Sequence, residues 1–310
     1  MPNFVIVPDS NSDMPKELRS RFNIEDPIHS YLVFPDGHSE KVGCDWECIS
    51  KEKYYELIKN KKNRFSTAAA GPEQFEERYE YYLKQGKDVL SVILSSKLSS
   101  TYSFALAASE KLNAKYKDNK VLVVDSKRYS TSEMMLLIHA AKLKEQGKSL
   151  QETFDELEKI KYCLHQSGPM DDLIALARAG RISNGKAFMG QLIGVNPIGE
   201  VSREGITSVL CKVKGSQKAL RVCLEYLKRT IVNPEEQIIV IANSNREEKA
   251  KMYKEMIEKE IKPKEIIMTD VGLATIPNIG PGLCAAYYYG KELSETLDEE
   301  RQIFNEIVGK

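Results

Sequence analysis

Short apolar runs alternate with longer helical patterns along the first half of the chain. Residues 4–7, 89–94 and 121–124 form almost unbroken apolar runs of strand length. Such runs are typical of a parallel sheet covered by helices, because neither face of each strand meets water. The alternation therefore predicts a doubly wound α/β domain with right-handed crossovers.

The helices between these strands carry start signals. Pro72 suits the first position of a helix, where its missing N–H costs nothing. Ser130 with Glu133, and Ser149 with Glu152, have the spacing of capping boxes. We therefore predict that helices begin at these three places.

The pattern changes near residue 163. Residues 195–201 and 206–213 flank a turn-like segment and predict a hairpin, so the second sheet is at least partly antiparallel. We predict an N-terminal Rossmann-like α/β domain over residues 1–162. A C-terminal α/β domain with a mixed or antiparallel sheet then covers residues 163–310, and it ends in a helical extension over residues 291–310.

The charge balance excludes several partners. The chain has 45 Lys and Arg against 45 Asp and Glu, so it lacks the basic surplus of a nucleic-acid binder. The short basic run at residues 59–64 is interpreted as the end of a solvated helix.

No apolar stretch approaches a membrane span, and the N-terminus enters a strand pattern without a signal peptide. We therefore expect a cytoplasmic protein.

Metal and cofactor sites are not expected. Of the six cysteines only Cys44 and Cys48 are close in sequence, and a single pair does not make a zinc site. The four histidines show no metal-pair spacing, and the chain has no Walker A motif and no nucleophile elbow.

Four loops of small and hydroxylated residues follow strand patterns, at residues 9–13, 66–72, 95–101 and 125–127. In an open α/β sheet these loops meet at the carboxyl edge of the strands, where ligands bind. Hydroxyls and free N–H groups at helix starts favour an anion. The alternative is that these residues only cap helices.

Two further candidates lie in the second half. Arg181 follows Gly180 between two helical patterns, where its guanidinium suits a carboxylate unless it is simply a surface arginine. Asn278 precedes Gly280-Pro281-Gly282, which we interpret as a tight turn into a buried helix over residues 283–289. A dinucleotide fingerprint is rejected there, because that fingerprint belongs to the first βα turn of a nucleotide domain.

The order of these segments resembles the DegV family of fatty-acid-binding proteins. Residues 6–15 (Ile-Val-Pro-Asp-Ser-Asn-Ser-Asp-Met-Pro) are similar to the family's strand followed by T-D-S-x-x-D-L-P. Further matching segments, each short but all in the family's order, lie at residues 67–72, 95–102, 125–127, 176–182, 195–198, 212–219 and 280–282. The resemblance covers residues 4–290.

This resemblance implies two α/β domains with a long-chain fatty acid buried between them, and no catalysis by the chain itself. It also implies an ATP-dependent fatty acid kinase as partner, and it leaves room for transient membrane contact. The carboxylate-binding residues that it implies are Thr67, Ser95, Ser96, Arg181 and Asn278. Asn278 stands where the family has His, so this position cannot take up a proton near neutral pH. Asn196 and Lys97 also depart from the family pattern.

The acyl chain needs an apolar wall, which we assign to Phe188, Met189, Leu192, Ile193 and Leu283; ordinary core packing is the alternative. Two other functions stay open. One is a degenerate family member that acts as an interaction protein. The other is an acyl hydrolase that uses a Ser or Thr of the same loops, although no obvious His base accompanies them.

Overall fold

The computed structural model describes residues 2–171, 173–183 and 194–309 of the chain. The chain divides into two compact units. The first comprises Met1–Lys161 and Gly272–Pro277, and the second comprises Tyr162–Val271 and Asn278–Lys310. The first unit therefore also contains a short segment from late in the sequence. The prediction of two continuous domains does not include this return of the chain.

The first unit contains a parallel sheet and a smaller antiparallel one. Its strands are β1 (Phe4–Pro8), β2 (Ser30–Val33), β3 (Ser39–Val42), β4 (Ser66–Ala68), β5 (Asp88–Ile93) and β6 (Val121–Asp125). Its helices are α1 (Lys16–Arg21), α2 (Lys51–Ile58), α3 (Pro72–Leu83), α4 (Thr101–Lys115), α5 (Thr131–Glu145) and α6 (Leu150–Ile160). The predicted parallel sheet is confirmed in the order β1-β5-β6, with both strand pairs parallel.

The small sheet of the first unit has the order β3-β2-β4 and is antiparallel. It was not predicted, because its strands are short and partly exposed and so lack a continuous apolar run. Strand β4 carries the predicted site residue Thr67.

The second unit is built on a mixed sheet. Its strands are β7 (Leu164–Ser167), β8 (Val195–Val201), β9 (Thr207–Lys214), β10 (Ile238–Asn243), β11 (Glu265–Asp270) and β12 (Cys284–Tyr289). Its helices are α7 (Ile174–Ala179), α8 (Ser216–Thr230), α9 (Glu247–Glu260), α10 (Ile276–Ile279, which starts in the first unit) and α11 (Asp298–Val308). The main sheet runs β11-β10-β12-β7, and β8 with β9 forms the predicted hairpin.

The prediction of a helix over residues 283–289 is wrong. Leu283 leads directly into strand β12, which pairs antiparallel with β10 on one side and with β7 on the other. A run of seven apolar residues fits a central strand as well as a buried helix, and periodicity alone does not separate the two. The cross-strand hydrogen bonds on both edges decide for the strand.

The C-terminal helix α11 packs on the core of the second unit. The rings of Phe304 and Tyr226 are stacked with centroids 4.2 Å apart, and both side chains are buried. Arg229 on α8 also pairs with Glu306 at 2.9 Å. The predicted C-terminal extension therefore packs into this unit's core through α11.

Candidate functional site

The carboxyl ends of β1, β5 and β6 carry the hydroxylated loops predicted to form the site. Ser95 and Ser96 follow β5, and Asp125 ends β6. The loop after β6 is tied to the loop after β5, because the N–H of Ser95 donates to the carbonyl of Arg128 at 2.9 Å. Three of the four predicted loops, those after β1, β5 and β6, therefore lie at the edge of one sheet within the first unit, whereas residues 66–72 begin on β4 of the small sheet.

Asp9, the buried residue that follows β1, links the end of this strand to the loop after β5. Its carboxylate accepts hydrogen bonds from the N–H of Leu94 at 3.0 Å and from the N–H of Asn11 at 2.6 Å. Burial raises the pKa of Asp9 to about 6, against the lowering effect of these hydrogen bonds. Asp9 therefore holds the two loops together from a buried position.

Ser96 lies at the surface beside an ion pair. Its N–H donates to Asp125 at 3.1 Å, and its hydroxyl accepts from the ammonium group of Lys127 at 2.9 Å. Lys127 also pairs with the Asp125 carboxylate at 2.7 Å. Burial alone raises the pKa of Asp125, but the hydrogen bonds from Lys127 and Ser96 outweigh it, so the net shift is downward. Ser96 thus adjoins a cation that the sequence did not assign to the site.

Ser95 is fully buried, and its backbone is fixed on both sides. Its hydroxyl accepts a hydrogen bond from the N–H of Lys97 at 3.2 Å, and its carbonyl accepts from the N–H of Leu98 at 3.0 Å. These bonds form a tight turn before α4. Lys97, which stands where the family has Gly, does not require a left-handed backbone, since it is absent among the positive-φ residues.

The predicted capping box at Ser130 and Glu133 is wrong. Ser130 has φ 55° and ψ −137°, and its hydroxyl makes no capping bond. Instead it donates to the Asp13 carboxylate at 2.5 Å. Neither carboxyl oxygen of Glu133 has a hydrogen-bond partner among the described residues. Burial, together with the nearby carboxylates of Asp9 and Asp13, raises the pKa of Glu133 well above its usual range.

Asp13 is the other buried acid that the sequence reading did not single out. It also accepts a hydrogen bond from the hydroxyl of Thr275 at 2.5 Å, within the returning segment Gly272–Pro277. A Cβ at residue 272 would lie 2.7 Å from Asp13 Oδ1, so glycine is required there. Burial raises the pKa of Asp13 to about 7. The signal available in the sequence was its place in the strand–loop motif at residues 6–15.

Thr67 lies in the first unit but on the small sheet. It is half-buried on β4, opposite Leu32 of β2. Thr67 therefore lies on the small sheet, whereas Ser95 follows a strand of the parallel sheet. The sequence did not predict this separation. The three predicted hydroxyls of the head-group site all belong to the first unit.

Arg181 and Asn278 belong to the second unit. Gly180 ends α7 in the left-handed conformation, with φ 71°. Arg181 is exposed, and its guanidinium donates to the carbonyl of Ala179. Asn278 is half-buried in α10, before Gly280 and Gly282 with φ 79° and 106°. Of the predicted wall, Leu283 is buried beside β12, whereas Phe188, Met189, Leu192 and Ile193 lie outside the described residues.

The close approach of Asp171 requires glycine at residue 282, the second glycine of the 280–282 turn. A Cβ at residue 282 would lie 2.6 Å from the Asp171 side chain. The Asp171 carboxylate pairs with Lys249 at 2.8 Å and with Arg246. Although burial raises the pKa of Asp171, these two cations lower it overall. The turn is thus fixed against an ion-pair cluster that the sequence reading missed.

Comparison with known proteins gives the family. A sequence model described as "Uncharacterised protein, DegV family" matches residues 3–291. The chain belongs to the DegV family. A DegV domain-containing protein from Clostridium perfringens is 33% identical over 291 residues, which cover 94% of this chain and 98% of that protein. The family match ends before α11.

Solved DegV structures share the fold over nearly the whole chain. A DegV family protein from Thermus thermophilus, described as binding fatty acid, has a TM-score of 0.83 and 25% identity, covering 93% of this chain and 99% of that one. DegV from Bacillus subtilis, described as a fatty acid binding protein, has a TM-score of 0.78 and 26% identity, covering 93% and 100%. The predicted two-domain DegV-like α/β fold is confirmed.

The described residues contain neither a candidate metal cluster nor a membrane-spanning helix. In residues 2–171, 173–183 and 194–309, no three His, Cys, Asp or Glu side chains are grouped so as to hold a metal ion. Within the same ranges, every helix is too short or too polar to cross a bilayer.

Proposed function

We propose that this DegV family chain binds a long-chain fatty acid and carries out no reaction on it. The observation that carries the proposal is the whole-length similarity to two DegV proteins described as fatty-acid-binding, at 25% and 26% identity. The edge of the parallel sheet supports it, because fixed loops present hydroxyls there beside a cation. Fatty acid is the ligand class that the sequence motifs imply as well.

The carboxylate is held by hydroxyls and donors from both units in this proposal. Thr67, Ser95 and Ser96 donate from the first unit, while Arg181 neutralises the charge and Asn278 donates from the second. Lys127 joins this set, since its ammonium group already contacts Ser96. A buried carboxylate needs such partners, because an unpaired charge in an apolar site is costly.

The acyl chain supplies most of the affinity. Each CH₂ removed from water contributes about 0.8 kcal/mol, so a chain of about 16 carbons contributes on the order of 10 kcal/mol before losses. We assign its wall to Leu283 with Phe188, Met189, Leu192 and Ile193. The prediction that the chain lies between the two domains stays a prediction.

Presentation of the carboxylate to an ATP-dependent fatty acid kinase, in the cytoplasm, is the finer part of the proposal. It rests on the motifs at residues 67–72, 95–102 and 176–182. Asn278 bears on this part of the proposal, because an amide in place of the family's His donates a hydrogen bond but does not exchange a proton.

Native mass spectrometry of the protein purified from cells tests the function. We expect one co-purifying fatty acid of about 14 to 20 carbons, lost on denaturation and restored by adding palmitate to delipidated protein. A protein that neither carries nor rebinds a fatty acid contradicts the proposal and favours an interaction protein. A burst of product from an activated acyl ester also contradicts it and favours a hydrolase.

A further inference from the structure

Strand β11 forms one edge of the main sheet in the second unit. The sheet runs β11-β10-β12-β7, and among the described residues no strand or isolated bridge pairs with the outer side of β11. The strand, Glu265–Asp270, has three apolar residues at its centre, of which Met268 is 38% exposed. An apolar edge strand with open backbone groups is a surface on which another strand can pair.

The hydrogen bonds to β10 show which backbone groups of β11 point outward. The N–H of Glu265 donates to the carbonyl of Gln237 at 3.3 Å, and the N–H of Val271 donates to the carbonyl of Asn243 at 2.9 Å. The two strands pair in parallel between these bonds, with no shift of register. Because backbone groups alternate in direction along a strand, the odd-numbered residues bond to β10. The N–H and C=O groups of the even-numbered residues of β11 therefore face outward.

Two copies of β11 can pair antiparallel about a twofold axis only if outward-facing residues lie opposite each other. With the axis at Ile267, Ile266 lies opposite Met268 of the second copy, and Lys264 lies opposite Asp270. Moving the axis to Ile266 puts Lys264 opposite Met268, and moving it to Met268 puts Asp270 opposite Ile266. Of these three registers, only the first places apolar residues opposite each other and opposite charges together.

We infer that a second copy of this chain pairs with β11 in this register and extends the main sheet across a twofold axis. The charges select the partner, because the exposed Lys264 meets the Asp270 carboxylate of the other copy at both ends of the contact. Asp270 already accepts a hydrogen bond from the Asn243 side chain at 2.9 Å, and a carboxylate accepts several. The pairing goes beyond the proposed fatty-acid binding and does not depend on it.

The apolar pair of this register covers a side chain that the single copy exposes. Ile266 lies opposite Ile239 of β10 and is partly buried against the core of the second unit. Met268 lies opposite Ile241, on the same face of the sheet. In the pair, Met268 of each copy packs on Ile266 of the other and continues this apolar row across the axis. A contact of one strand is smaller than a standard interface, so we expect a weak dimer.

Sedimentation velocity of the full chain across the micromolar range tests the pairing. We expect the mass to rise from the monomer's 35.1 kDa toward twice that value as the concentration increases. Met268→Pro should stay monomeric, because proline removes an outward N–H without removing a bond to β10; circular dichroism checks its folding. A wild type that stays monomeric throughout overturns the inference. A folded Met268→Pro variant that dimerises as the wild type does overturns it too.

Charge reversal tests the register without relying on a proline. In a dimer of Lys264→Glu, or of Asp270→Lys, like charges lie opposite each other at both ends of the contact. Each variant alone should therefore dimerise about tenfold more weakly than the wild type, with a smaller difference at high salt. An equimolar mixture of the two should form dimers again, because opposite charges then meet at both ends. No recovery in the mixture overturns the assigned register.

The matched control is Lys262→Glu, the same charge change at an exposed lysine two residues earlier. With the axis at Ile267 this residue lies opposite Gly272 of the second copy, so the variant should dimerise as the wild type does. Equal losses in Lys262→Glu and Lys264→Glu overturn the register, because they indicate a response to net charge or an axis at Ile266.

Amide hydrogen exchange, resolved residue by residue, reports the geometry of the contact. The N–H groups of Ile266 and Met268 face outward, so they should exchange more slowly as the protein concentration rises. The N–H of Ile267 faces β10 and should change less. Unchanged exchange at Ile266 and Met268, in protein shown to be dimeric, places the contact elsewhere and overturns the assignment to β11.

Discussion

The hydroxyl of Thr275 donates a hydrogen bond of 2.5 Å to the carboxylate of Asp13, a residue 262 positions earlier in the chain. Both side chains are buried. Asp13 accepts a second bond of 2.5 Å from Ser130, at the start of α5. One carboxylate therefore joins the first loop of the chain, the start of a central helix and the returning segment Gly272–Pro277.

Replacing Thr275 by Val should loosen that returning segment. Val keeps the shape of Thr but cannot donate, so a buried acceptor loses a partner and the free energy of unfolding falls by about 1–3 kcal/mol. Urea unfolding measures the total effect, and hydrogen exchange of residues 272–277 locates it. Thr275→Ser, which keeps the hydroxyl, is the control; an equal loss in both variants would show that packing, not the hydrogen bond, holds the segment.

Asp13 should also make stability depend on pH. Burial raises the pKa of Asp13 to about 7 from 3.8. Between about pH 4 and 7 the unfolded chain therefore loses this proton before the folded protein does, and stability falls as pH rises through that window. Asp9, with a pKa raised to about 6, acts in the same direction.

The variant Asp13→Asn tests this titration, because an amide accepts the same two hydrogen bonds but does not ionise. From pH 5 to pH 8 its loss of stability should be smaller than that of the wild type by about 2–3 kcal/mol. Urea unfolding across this range measures the difference. Parallel pH profiles for the two proteins would mean that Asp13 does not titrate in the window.

The sequence predicted the parallel sheet because β1, β5 and β6 are buried on both faces and read as unbroken apolar runs. The same reasoning failed at Leu283 and the residues after it. There the neighbouring strands β10 and β7, which are distant in sequence, decide between strand and helix. Such pairings follow from tertiary contacts that local periodicity does not contain.

The candidate site was predictable at its loops and not at its buried acids. Ser95 and Ser96 were found because hydroxyls after a buried strand suggest a ligand edge. The Asp13–Thr275 contact was not predicted, because the two residues lie near opposite ends of the chain. No local sequence pattern links one to the other. The spacing of Ser130 to Glu133 predicts a capping box. In the structure the Ser130 hydroxyl donates to the Asp13 carboxylate instead.

The proposed head-group hydroxyls can be removed together. Thr67→Ala combined with Ser95→Ala should lower fatty-acid affinity at least tenfold, because each lost hydrogen bond to a carboxylate is worth about 1.5–3 kcal/mol. Titration of delipidated protein with a fluorescent fatty acid measures it. Ser100→Ala, an exposed hydroxyl of the same loop, should bind as the wild type does; unchanged affinity in the double variant refutes the assigned site.

Arg181 has a matched neighbour for a charge test. Arg178 is also exposed, one turn earlier on α7. Arg181→Gln should weaken fatty-acid binding about tenfold, while Arg178→Gln should not, if the guanidinium at the corner pairs with the carboxylate. The same binding titration compares the two, and equal effects would show that only the general charge of this helix matters.

Asn278 offers a gain of function, because the family has His at this position. In Asn278→His an imidazole with an ordinary pKa near 6.5 replaces the amide, so a positive charge appears beside the carboxylate as pH falls. The ratio of variant to wild-type affinity should therefore rise up to about tenfold from pH 8 to pH 6, and taking the ratio cancels the titration of the fatty acid itself. Asn278→Gln, which does not titrate, should give a flat ratio. A flat ratio for the His variant too would mean that residue 278 does not face the carboxylate, and the second unit's share of the site would then rest on Arg181.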